Sequence, residues 1–139
     1  MSELVQLSFH KIMQTRSYTV IILSAKEKSF AIYTDPTVGK NIQLFLTETK
    51  TPRPLTHSLV SMIFQGLNIT VRQVVINDVQ DTIYYTRLFL EQELEDMRHI
   101  IETDARPSDS LMWALLSNAP VYCTQEVLDK TISIETDAK

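Results

Sequence analysis

A chain of 139 residues, 44% hydrophobic and 22% charged, can bury one sizeable core and not two, so it reads as a single domain with nearly every segment folded. Two Gly and five Pro leave no room for a flexible linker, a collagen-like repeat or a disordered Pro-rich arm. Thirteen Lys plus Arg against seventeen Asp plus Glu give a net charge of −4, the wrong sign for a protein that holds nucleic acid mainly by neutralising phosphates, so any such contact has to be local.

The first third reads as strands. Val5, Leu7 and Phe9 alternate with Gln6, Ser8 and His10, and Tyr18 to Leu23 is β-branched enough for a central strand. Ser29 to Tyr33 makes a third, reached through the charged turn Lys26-Glu27-Lys28, and together with a first turn near Gln14 to Ser17 these form a three-stranded meander. Asp35-Pro36 supplies a cap and a first helical residue, so a helix is expected over about 37–49. Pro52 and Pro54 interrupt it. Thr56 is the expected cap of a second helix that sets Leu59, Met62 and Ile63 on one face and ends at Gly66.

Strand character returns at Ile69, Val71 and Val74-Val75-Ile76, followed by a polar turn over Asp78 to Thr82 and a return strand from Ile83 to Leu90. Glu91 to Asp96 reads as a solvated acidic turn and Arg98 to Thr103 as another strand. Pro107 opens a third helix, apolar on almost every side from Leu111 to Leu116 and therefore buried. Pro120 ends it, Val121-Tyr122-Cys123 forms a short strand, and Gln125 to Lys130 a last short helix. Grouped, antiparallel strands with helices between the groups argue for an α+β domain with a mixed, largely antiparallel sheet, a helix pair and one buried helix. The domain is expected to span residues 1–132, with 133–139 a frayed tail.

The charge is unevenly spread: residues 1–90 carry nine basic and six acidic side chains, residues 91–139 four and eleven. The longest aliphatic run, Val20 to Leu23, falls far short of the roughly 18 residues a membrane-spanning helix needs, and Met1-Ser2-Glu3 opens no leader pattern. No membrane partner is expected. Cys123 is the single cysteine, which forbids an intrachain disulfide and fits a cytoplasmic setting.

Several chemistries fall on spacing. Glycines only at 39 and 66 make no phosphate loop, one cysteine makes no Cys-x-x-Cys, and no Gly-x-Ser-x-Gly elbow occurs. His10, His57 and His99 are too scattered for a local metal motif, and His10 and His99 read as structural residues within strands. What stands out is Arg-Pro, twice, each time ahead of an amphipathic helix: Arg53-Pro54-Leu55-Thr56-His57-Ser58 and Arg106-Pro107-Ser108-Asp109. A guanidinium beside free helix N–H groups suits a phosphate or carboxylate. Equally, Pro fixes a helix start, Thr56 and Asp109 satisfy backbone donors, and each Arg pairs with a nearby acid. Asp78, Asp81, Asp104 and Asp109 lie where carboxylates can converge on a hard cation, and where turn and cap chemistry accounts for them as well.

Pro52-Arg53-Pro54-Leu55-Thr56-His57, the stretch from Val74-Val75-Ile76 through Asp81 to Tyr85, and Asp104-Ala105-Arg106-Pro107-Ser108-Asp109 followed by Ala119-Pro120-Val121-Tyr122 resemble the bifunctional nuclease domain family over roughly residues 5–130. The resemblance implies an α+β fold and hydrolysis of phosphodiester bonds in DNA and RNA, with nucleic acid a transient, locally held partner and little sequence preference. The matching polar positions are Arg53, Thr56, His57, Asp81, Tyr85, Asp104, Arg106, Ser108 and Asp109. Their expected roles are His57 as general acid or base, Arg53 and Arg106 on the scissile phosphate, and Thr56, Ser108 and Tyr85 on the substrate. Asp104, Asp109 and Asp81 would hold a divalent cation, magnesium or manganese, that activates water.

The sequence also departs from the family pattern. Val38 stands where a Glu is usual at the start of the first helix, Ser58 where an Asp commonly follows Thr-His, Thr82 in the glycine position of the hairpin turn, and Asn118 in that of the glycine before Ala-Pro. The first two remove acids; the last two look structural and tolerable. Three readings follow: a metal-assisted nuclease; a non-catalytic binding or assembly module that keeps the fold; and a phosphate-ester hydrolase of small molecules. Apolar strands further suggest association into a dimer or higher homo-oligomer.

Overall fold

A computed structural model describes residues 3–134. The elements run β1 (Leu4–Gln14), β2 (Thr19–Ser24), β3 (Ser29–Thr34), α1 (Pro36–Leu46), α2 (Thr56–Gly66), β4 (Ile69–Gln80), β5 (Ile83–Leu94), β6 (Met97–Ala105), α3 (Pro107–Ser117), β7 (Val121–Thr124) and α4 (Gln125–Lys130). One sheet holds all seven strands in the order β3-β2-β1-β7-β4-β5-β6. Every pairing is antiparallel except β4 with β7. The chain is thus an α+β domain of two meanders, β1 to β3 and β4 to β6, joined by the four-residue β7. Its Val121 and Cys123 are buried, as a strand enclosed on both sides requires. Among the described residues no helix is long and apolar enough to cross a membrane.

Helix α1 sits on β2 through one close approach. Thr19 is fully buried, its Oγ1 donates to the Asp35 carbonyl at 2.9 Å and accepts from Gly39 N at 2.8 Å. A Cβ at Gly39 would lie 2.6 Å from that oxygen, so only glycine lets the helix come this near. Asp35 caps α1 as its position before Pro36 implies. The helix is shorter than the expected 37–49: Glu48 turns left-handed at φ 53° and Thr49 N donates back to the Leu44 carbonyl at 3.0 Å, closing the end after Leu46.

Three further expectations shift. The cap of α2 is Leu55, with no side-chain hydrogen bond, and Thr56 is the first helical residue. Leu59, Met62 and Ile63 are about half exposed, whereas Val60 and Phe64 pack against the core. The helix carries two apolar stripes, and the one containing the aromatic ring wins the interior because it meets Trp113, 5.3 Å from Phe64 between centroids. The acidic turn also shrinks. β5 continues through Glu91 to Leu94, and Glu91 is nearly buried because Arg98 Nη2 donates to it at 2.6 Å and Arg72 lies 3.7 Å away, which holds its carboxyl below the usual range. On the opposite end of that hairpin only Asp81 and Thr82 turn, both at positive φ, while Asp78 belongs to β4 beside a bulge.

Helix α3 is buried along Ser110-Leu111-Met112-Trp113-Ala114, in keeping with its all-round apolar composition. Asn118 ends it in the left-handed conformation at φ 51°, the role a glycine would fill and one asparagine tolerates. Of the expected tail, 135–139 lies outside the described residues; before it, Ile134 N donates to the Ser29 carbonyl at 2.9 Å.

Candidate functional site

Pro107 forces Arg106 into extended backbone, φ −70° and ψ 149°, at the cap of α3. The guanidinium folds back onto the first turn while staying largely exposed to solvent. Its Nε donates to Asp109 Oδ2 at 2.9 Å and its Nη2 to Oδ1 at 3.4 Å. Asp109 stands in the first helical turn, where a carboxylate is favoured by the helix dipole, but it bonds no backbone donor there. Hydrogen bonding to Asp109, with Asp35 adding its field, raises the Arg106 pKa above the ordinary arginine value.

The third member comes from α2. His57 Nε2 lies 3.5 Å from Asp109 Oδ1, and the imidazole rests on Trp113, with ring centroids 5.4 Å apart and planes tilted by 52°. His57, Val60 and Phe64 share a helical stripe, so the packing of α2 on Trp113 also orients the histidine. Beneath them a buried hydroxyl pair, Thr86 Oγ1 and Ser110 Oγ at 2.6 Å, ties the start of α3 to β5. Side-chain exposure rises along the row, from 23% for His57 through 36% for Asp109 to 78% for Arg106.

Two clefts meet this row. One of about 260 Å³ is lined by His57, Ser58, Asn41 and Glu48 over an apolar floor that includes Met112 and Leu116. Another of about 430 Å³ is lined by Arg106, Ser108, Tyr85, Asp104, Tyr33 and Asp35. Asp109 therefore links a histidine in one cleft to a guanidinium in the next. Tyr33 was not legible as a site residue; it is the last residue but one of β3, 63% exposed, and lies edge-on to Tyr18 at 5.1 Å, the one hint being its place two residues ahead of the Asp35-Pro36 cap. Nor did spacing reveal Trp113 as the platform under His57.

Of the other expected residues, Ser108, Tyr85 and Asp104 line the Arg106 cleft, whereas Arg53, Thr56 and Asp81 lie apart from the row. Arg53 is exposed on the connection between α1 and α2 and forms no ion pair among the described residues; its carbonyl accepts from Thr51 Oγ1. Thr56 is exposed at the start of α2. The Arg-Pro echo is inexact, because Pro107 opens α3 while Pro54 stands two residues ahead of α2. Asp81 lines a separate cavity of about 410 Å³ with Lys130 and Thr131. Asp104 faces Arg87 at 4.0 Å. Asp109 is already engaged by Arg106 and His57. Among the described residues no three His, Cys, Asp or Glu side chains form a group able to hold a metal ion, so Asp81, Asp104 and Asp109 as placed do not fit a shared cation site.

An α+β domain with an arginine, a carboxylate and a histidine in contact between two clefts defines a domain that can receive an anion and move a proton beside it. The chain belongs to the bifunctional nuclease domain family, whose model matches residues 20–136. Two uncharacterised proteins of Mycobacterium tuberculosis, one from each of two strains, are each 35% identical over 77 residues, which cover 55% of this chain and 43% of each relative. The match thus spans less than half the length of those relatives.

Proposed function

We propose that this domain hydrolyses phosphodiester bonds in DNA and RNA with little sequence preference, at the row Arg106, Asp109 and His57. The observation that carries the reading is one carboxylate that contacts both a solvent-exposed guanidinium and a histidine. Arg106 keeps outward N–H groups that suit two phosphate oxygens. Ser108, in the first turn of α3, adds its hydroxyl where backbone N–H groups have no intrahelical partner, and Thr56 does the same at the start of α2. With the Asp109 carboxylate 3.5 Å from Nε2, that nitrogen carries the imidazole proton, and Nδ1 is the base that takes a proton from the attacking water and returns it to the leaving oxygen.

The net charge of −4 opposes a polyanion, so affinity has to come from something other than bulk charge. Tyr33 and Tyr85 in the Arg106 cleft supply ring faces on which unpaired bases stack without sequence discrimination. Arg53 contributes at the periphery, as an exposed cation on the connection that borders the His57 cleft. A need for magnesium or manganese is to be measured, since among the described residues Asp81, Asp104 and Asp109 stand apart and form no shared cation site.

A second reading, a binding module that has kept the fold without the chemistry, draws on Val38 and Ser58 in the positions where the family pattern has acids. Val38 is packed against the core and Ser58 lines the His57 cleft. The test is cleavage of single-stranded DNA, duplex DNA and RNA by purified protein with magnesium, with manganese and with chelator. Cleavage that disappears in folded Arg106→Ala and His57→Ala variants supports the nuclease reading. Binding without cleavage under every condition supports the module.

A further inference from the structure

Tyr33, Thr82 and Tyr84 line both the Arg106 cleft and the cavity of about 410 Å³ that holds Asp81 and Lys130, so the two spaces are neighbours with a shared wall. The second cavity is not used by the row Arg106, Asp109 and His57. Its size is that of a small-molecule site, and so is its make-up: apolar walls from Val79, Ile132 and Ile134, tyrosine rings, and two charged groups. Those two come from distant elements, Asp81 from the β4–β5 turn and Lys130 from the last turn of α4. Both are exposed, and neither forms an ion pair among the described residues, with the other or with any third group. Space between them is therefore open to a ligand. The turn that carries Asp81 is tight, with φ 50° there and 70° at Thr82, which fixes where the carboxylate stands.

We infer that this cavity takes a guanine base, and that the guanine belongs to a nucleotide whose phosphate reaches Arg106 across the shared wall. Donors and acceptors select the base. At neutral pH Asp81 offers only acceptors and Lys130 only donors. The Watson–Crick edge of guanine runs amino N–H, ring N–H, carbonyl oxygen: two adjacent donors meet the two carboxylate oxygens, and the carbonyl beside them meets the ammonium. Adenine and cytosine each set a ring acceptor beside their single amino group, and uracil and thymine flank one N–H with two carbonyl oxygens. Every base but guanine thus turns a lone pair toward the carboxylate.

The aliphatic walls and the rings of Tyr33 and Tyr84 receive the face of any base, so they add affinity without choice. The choice falls to Asp81 and Lys130. The phosphate end of this site rests on the nuclease reading and narrows it: a strand held through its backbone and base faces is read at one base, next to the phosphate at Arg106.

NMR titration of the whole chain with the four nucleosides, their monophosphates, and an oligothymidine strand carrying one dG or one dA tests this. Guanosine is expected to bind roughly tenfold or more tighter than the other nucleosides, the discrimination a bidentate base contact provides. GMP should bind tighter still, and Arg106→Ala should remove that gain while leaving the base preference. Asparagine tolerates the left-handed turn, so Asp81→Asn keeps the fold while exchanging one acceptor for a donor. It is expected to lose guanosine and to gain xanthosine, in which an oxygen replaces the amino group. A tighter dG strand supports a base read within a strand; GMP preference with indifference between the strands supports the same guanine site filled by free nucleotide. Guanosine selectivity without phosphodiester cleavage would sink the nuclease reading and leave the base site standing. Four nucleosides bound equally, none bound, or an unchanged preference in Asp81→Asn would overturn the base site, whatever the cleavage assay shows.

Discussion

His57 Nε2 lies 3.5 Å from Asp109 Oδ1, while the other oxygen of the same carboxylate accepts from Arg106 Nε at 2.9 Å. One carboxylate thus contacts both an imidazole and a guanidinium, and those two come from the first turn of α2 and the cap of α3, distant in the chain. Their meeting depends on Trp113, which packs against His57 and Phe64 of α2 while buried in α3.

Gly39→Ala should destabilise the domain. The new methyl group would meet Thr19 Oγ1 at 2.6 Å, and Thr19 is locked by its bonds to Asp35 and Gly39, so the helix has to shift. Overpacking of this kind costs about 1–3 kcal/mol. Urea titration is expected to show a lower midpoint with unchanged slope; an unchanged midpoint would show that α1 moves freely on β2.

Thr82→Gly should stabilise it. Thr82 is β-branched and held at φ 70° in the β4–β5 turn, where left-handed backbone costs an L-residue about 1–2 kcal/mol and glycine nothing comparable. Some of that gain is lost to the extra freedom of glycine in the unfolded chain, which leaves a net rise of about 1 kcal/mol. A lower melting temperature in the variant would contradict the strained-turn account.

Stability should fall on the alkaline side. Burial pushes the Cys123 thiol up from 9.0 to about 11, opposed by Lys28, and burial also raises Tyr84. The unfolded chain ionises first as pH rises, so the stabilising contribution of the neutral thiol is complete below about 9 and is lost progressively between 9 and 11. Melting temperatures across that range are expected to drop, and the drop should be shallower in Cys123→Ala. Equal slopes in the two proteins would remove Cys123 from the explanation.

Ser58→Asp restores an acid to the cleft that His57 lines. On the nuclease reading it should raise the cleavage rate roughly tenfold or more, a modest share of what a positioned acid or base supplies. Ser58 is exposed, so melting should change little. An unaltered rate in a folded variant would show that the family's acid at this position plays no part in the chemistry of this chain.

Much of the fold was legible because local chemistry and packing agree. The alternation Val5, Leu7, Phe9 became β1, Asp35-Pro36 became the cap of α1, and the apolar run in α3 became its buried core. Legibility failed where tertiary contacts chose between equal local options. α2 has two apolar stripes, and only the presence of Trp113 decides that 60 and 64 turn inward while 59, 62 and 63 do not. Glu91 reads as a turn residue until Arg72 and Arg98 arrive from neighbouring strands to neutralise it. At the site, Arg106 and Asp109 could be linked by spacing, and His57 was singled out by its motif. Their common carboxylate was invisible because it depends on how α2 lies against α3, as was the exposed Tyr33 across the cleft.

The most direct test of the central claim is the cleavage rate of Asp109→Asn against wild type, on single-stranded DNA in magnesium or manganese, with melting curves for both. The substitution keeps the shape of the side chain and removes the charge that holds Arg106 and orients His57. Because the Arg106 pair is exposed, the fold should survive with melting nearly unchanged. The expected rate loss is roughly 10²- to 10⁴-fold, the range for losing the orientation of a general base. A folded Asp109→Asn protein that cleaves at the wild-type rate would contradict the account.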